Sequence, residues 1–69
     1  MVDHLAWAEA YRNRAAKCRS VAAGISSSDF ENCYRKLADH YLLLADLEED
    51  FARRAMAMQL AANKALLSA

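Results

Sequence analysis

The sequence predicts an all-α protein: an antiparallel two-helix hairpin with a short helix one and a long helix two, assembled into a dimeric helical bundle. Three observations predict it. Sixteen of the 69 residues are alanine, there is no proline, and Gly24 is the only glycine, an alphabet of helix formers. The turn-forming residues gather at positions 24–28, well off-centre. On both sides of that turn, apolar side chains recur at the spacing of packed helices.

Asp3 is a suitable N-cap, and nothing breaks a helix from His4 to Ala23. Gly24 is the expected C′ residue in the left-handed conformation, with Ile25 as the apolar residue of a Schellman motif. The serines at 26–28 supply turn hydroxyls. Ser28-Asp29-Phe30-Glu31 reads as a capping box, with the Ser28 hydroxyl accepting a first-turn N–H and Glu31 reaching back. Helix two is then expected over 29–66, uninterrupted by glycine or proline. At a rise of ~1.5 Å per residue it would be roughly 55 Å long against roughly 30 Å for helix one. A competing expectation is that the alanine-rich end, residues 60–69, frays.

In helix two, Phe30, Leu37, Leu44, Phe51, Met58 and Ala65 recur as heptad d positions, with Tyr34, Tyr41, Glu48, Ala55 and Ala62 as a positions. The matching stripe of helix one is His4, Ala8, Tyr11, Ala15, Cys18, Ala22 and Ile25. Folding the chain at Ser26 sets Ala22 against Phe30, Cys18 against Tyr34 and Ala15 against Leu37. Further from the turn it sets Tyr11 against Tyr41, Ala8 against Leu44 and His4 against Glu48. Most large side chains thus meet small ones. The two tyrosines must offset their rings, and Trp7 is expected over Leu44 or Leu47.

Past Glu48 helix one has run out, yet Phe51, Ala55, Met58, Ala62 and Leu66 carry the stripe on. Leaving these wet would forfeit on the order of several kcal/mol, comparable to the whole stability of so small a chain. Leu42 and Leu43 add apolar side chains on the outer face. The expected partner is therefore a second copy, a homodimer or larger bundle, with Leu43, Leu47, Phe51, Ala55, Met58 and Ala62 as its interface. An adaptor that docks an unidentified protein through residues 48–62 is the runner-up.

Nine basic and nine acidic residues cancel, so no global field draws the chain to nucleic acid or to an anionic membrane. Arg12, Arg14, Lys17 and Arg19 leave helix one at different angles and lack interleaved aromatics, which makes nucleic-acid binding a weak alternative. Asp46, Glu48, Glu49 and Asp50 form an opposite cluster, able to pair with the basic residues between chains. The N-terminus lacks the pattern of a secretory signal, and no apolar run reaches ~18 residues, so a cytoplasmic location is expected.

Cys18 and Cys33 fall about one layer apart near the turn. They are read chiefly as small buried apolar side chains, and alternatively as a redox pair closing a short loop. His4 and His40 lie too far apart to share a metal. There is no glycine-rich phosphate loop, nucleophile elbow, metal-ligand cluster or Glu-x-x-His motif. No enzyme activity, cofactor or metal is expected.

The stretch Tyr11-Arg12-Asn13-Arg14-Ala15-Ala16-Lys17-Cys18-Arg19, a short polar turn, and then Leu37-Ala38-Asp39-His40-Tyr41-Leu42-Leu43-Leu44-Ala45 resemble small uncharacterised helical-hairpin proteins of alphaproteobacteria. The likeness covers about residues 8–55. Where such proteins often have Asp-Pro in the turn and tryptophan in the second helix, this chain has Ser27-Ser28 and Tyr41. The resemblance implies the hairpin fold and a bacterial cytoplasmic setting, and it brings no activity or site residues.

Overall fold

A computed structural model describes residues 3–68; Met1, Val2 and Ala69, which the sequence expectations for the two ends include, lie outside the described residues. The fold is the expected antiparallel hairpin, with α1 over His4–Ala23 and α2 over Ser28–Ser68. The molecule measures 64 × 15 × 14 Å. Its radius of gyration is 17.9 Å, against about 11 Å for a compact chain of this length.

Asp3 caps α1 as expected: its Oδ1 accepts from the Ala6 N–H at 3.1 Å, and its carbonyl accepts from the Trp7 N–H at 3.1 Å. The other helix ends differ from expectation. Gly24 has φ −93° and ψ −3°, an ordinary right-handed conformation, so the left-handed cap and Schellman closure do not form. Instead the Gly24 and Ile25 N–H groups donate to the carbonyls of Val21 and Ala22, tightening the last turn in 3₁₀ fashion. The capping box at Ser28 is also corrected. Ser28 is already helical, the Glu31 N–H donates to the Ser27 carbonyl at 3.0 Å, and the Glu31 carboxylate accepts from Arg35 one turn on. An i,i+4 partner within the helix competes successfully for the carboxylate. At its far end α2 stays helical to Ser68, beyond the expected 66.

The register follows the fold at Ser26, since Tyr11 stacks on Tyr41 with centroids 6.1 Å apart and His4 Nδ1 lies 2.5 Å from Glu48 Oε2. The rotation of α2 about its own axis does not follow the heptad reading. Among the described residues the buried core consists of alanines alone, Ala8, Ala15 and Ala22 on α1 and Ala38 and Ala45 on α2. Leu37 and Leu44, expected in the seam, flank it instead at 40% and 39% exposure. Alanine rows seven residues apart on both helices let the axes approach closely, and a leucine in the seam would hold them apart. Trp7 lies beside Tyr11 of its own helix, with centroids 5.9 Å apart.

Candidate interaction surface

With a helical twist of about 100° per residue, Trp7, Arg14 and Val21 lie on one side of the α1 alanine row. Phe30, Leu37 and Leu44 lie on one side of the α2 row. These two sides meet: Arg14 sits over the rings of Tyr11 and Tyr41 at 5.8 and 6.0 Å, and His4 lies 5.4 Å from Phe51. On the opposite side, Arg12 pairs with Glu49, and Arg19 reaches Asp39 at 3.9 Å. The hairpin is therefore two-sided, with one ion-paired flank and one aromatic and aliphatic flank on which Trp7, Val21, Phe30, Leu37 and Leu44 remain exposed.

This arrangement changes the reading of the charges. Arg12 and Arg19 find acidic partners within the chain, where the sequence suggested pairing between chains. Such half-exposed pairs contribute about 0.2–1 kcal/mol each and serve chiefly to set which sides of the helices meet. Arg14 lies over aromatic rings on the other flank. The four basic residues of α1 are thus divided among different environments and form no continuous track.

Of the predicted interface residues, Leu43, Leu47, Phe51 and Met58 are exposed large side chains. These four form a stripe on the face of α2 turned away from Ala38 and Ala45, and Ala55 and Ala62 border it, Ala55 also lining a recess beside His4 and Leu5. Leu42 turns towards α1 and is half-buried, whereas Leu43 is exposed as expected. The sequence reading missed the contribution of α1, namely Trp7 and Val21. The signal that could have found it is the alanine spacing itself: rows at 8, 15, 22 and at 38, 45 define a seam that turns the leucines outwards.

Cys18 is half-buried and Cys33 exposed, and both are free thiols. That corrects the reading of both as buried core residues: Cys33 lies about 140° around α2 from the buried Ala38, on the side away from the seam. Cys33 should react with a maleimide several-fold faster than Cys18 in the folded protein, as read by peptide mass spectrometry, and equal rates would contradict this placement.

Among the described residues no group of three or more His, Cys, Asp or Glu is gathered as for a metal ion. No described helix is long and apolar enough to cross a membrane. The class that the fold defines is an alanine-seamed helical hairpin with a protruding helical arm. No protein-family model, curated protein or solved structure matches the chain.

Proposed function

We propose that the protein is a non-enzymatic, self-associating interaction module whose α2 supplies the interface between copies. The observation that carries this reading is the contrast between core and surface. Among the described residues no large side chain is fully buried, and fifteen large apolar residues are exposed. The chain exposes 5586 Å², whereas a compact monomer of 7.7 kDa would expose about 4,300 Å². The excess is above the ~800 Å² that each partner contributes to a standard stable interface.

A partner that completes the core must be present whenever the chain folds, and a second copy meets that condition. Leu43, Leu47, Phe51, Ala55, Met58 and Ala62 form the centre of the interface, and the apolar flank around Leu37 and Leu44 extends it. A homodimer packed as a coiled coil is the simplest assembly, in the bacterial cytoplasmic setting that the resemblance implies. Docking of a different protein on the same stripe is the second reading, favoured by the reach of the arm beyond α1.

Light scattering after size exclusion over a hundredfold concentration range, with helicity followed by circular dichroism, tests the proposal. A constant oligomer of high helicity is expected. A helical monomer at every concentration would refute self-association and leave the stripe to a different partner.

A further inference from the structure

His4 contacts Glu48 at the start of α1, but the seam face of α2 continues past this level. Ala52, Met56, Gln59, Asn63 and Leu66 follow at alternating spacings of four and three residues, the repeat of a helix that lies along a second helix. This row faces the line of α1. Ala52, Met56 and Gln59 form one wall of an open recess of about 540 Å³, and His4 and Leu5 form the other. In mid-row the Gln59 side-chain amide donates to Asn63 Oδ1 at 3.1 Å. Near its end, Leu66 and Leu67 are 78% and 88% exposed.

Resting on the reading that the chain self-associates, we infer that the arms of two copies pair antiparallel along this row about a two-fold axis level with Ala61. Gln59 of each copy then meets Asn63 of the other. Leu66 and Leu67 of each enter the recess beside His4 and Leu5 of the other.

Three features select a second copy in this orientation. The row is self-complementary: the register that sets Gln59 against Asn63 also sets Met56 against Leu66, so one two-fold contact covers both arms. The direction is steric. Because α2 is unbroken from Ser28 to Ser68, a parallel, in-register partner in the line of α1 would drive the earlier part of its own helix through α1. An antiparallel partner leaves past the tip of the arm, and its Ser68 comes level with Arg54, ~9 Å beyond the level of His4.

Charge agrees with this orientation. Residues 52–68 contain Arg53, Arg54 and Lys64 and no acidic side chain. A parallel pairing would set each cation beside its own copy, whereas the antiparallel register sets Lys64 level with Met58. The Gln59 and Asn63 amides inside an otherwise apolar row favour one register over its neighbours, as a single polar position does in a coiled coil. Of the outward stripe only Ala55, which also lines the recess, borders this contact; Leu43, Leu47, Phe51 and Met58 are left for a second one, so the two surfaces together build a larger bundle.

The test uses the full chain with Cys18→Ala and Cys33→Ala, carrying Met56→Cys in one preparation and Leu66→Cys in another. The two are mixed, equilibrated, oxidised and read by non-reducing mass spectrometry. Disulfides between the two variants should exceed those of either variant with itself several-fold. In this register the two copies of position 56 are ten residues apart along the axis, ~15 Å, too far to bridge. Self-cross-linking of each variant, or no cross-link in a chain that light scattering shows to be oligomeric, overturns this pairing and leaves self-association standing. A monomer overturns both.

Discussion

Phe51→Asp is expected, on the reading that the chain self-associates, to remove the contact made through the outward stripe and leave no assembly larger than the arm-paired dimer, or to unfold the chain, as read by light scattering and circular dichroism. Phe51 is 47% exposed and touches the chain's own fold through the His4 ring. It stands where the outward stripe of Leu47, Ala55 and Met58 joins the apolar flank of Leu37 and Leu44. In a monomer the substitution would remove one ring contact and place a carboxylate in water, a modest change. In the proposed interface it buries an unpaired charge, which costs on the order of 3 kcal/mol or more and weakens association at least a hundredfold. Phe51→Leu keeps the apolar surface and should retain the oligomer. An Asp variant of unchanged mass and helicity would show that this part of α2 is not an interface.

Ala45→Leu is expected to lower the melting temperature by roughly 5–20 °C, followed by circular dichroism. Ala45 and Ala8 are both buried, and the close approach of α1 and α2 depends on such side chains being no larger than a methyl group. Adding an isobutyl group to a filled seam costs ~1–3 kcal/mol, and in a chain of this size each kcal/mol shifts the midpoint by roughly 4–8 °C. The same change at the exposed Ala57 should leave the midpoint nearly unchanged. Comparison with Leu44→Ala separates the observed seam from the one that a strict heptad implies. If Leu44 filled the seam, its truncation would be the costlier change and Ala45→Leu would be tolerated.

The two predictions depend on different structural information. The alanine-rich composition, the single glycine and the Asp3 cap make two helices of unequal length legible, because these are local preferences acting within a few residues. Register was also legible, since Tyr11 and Tyr41, and His4 and Glu48, have matching positions once the chain folds at Ser26. The form of the turn was not. Gly24 permits a left-handed cap without requiring one, and Glu31 had both the Ser28 backbone and Arg35 within reach, so packing of α1 on α2 chose between nearly equal local arrangements.

The sequence by itself determined the hairpin and the excess of apolar surface, because helix propensity and composition need no tertiary context. Only the tertiary structure decided which surface is left over. A repeat of seven residues does not match a helix of 3.6 residues per turn, and its stripe drifts by about 20° per heptad. The large d residues and the alanines beside them were therefore both possible seams from sequence alone. The alanines occupy it because two rows of methyl groups bring the helix axes closest together. That choice turns Leu37 and Leu44 outwards, draws Trp7 and Val21 of α1 into the exposed apolar flank, and leaves the row from Ala52 to Leu66 facing the open line beyond α1.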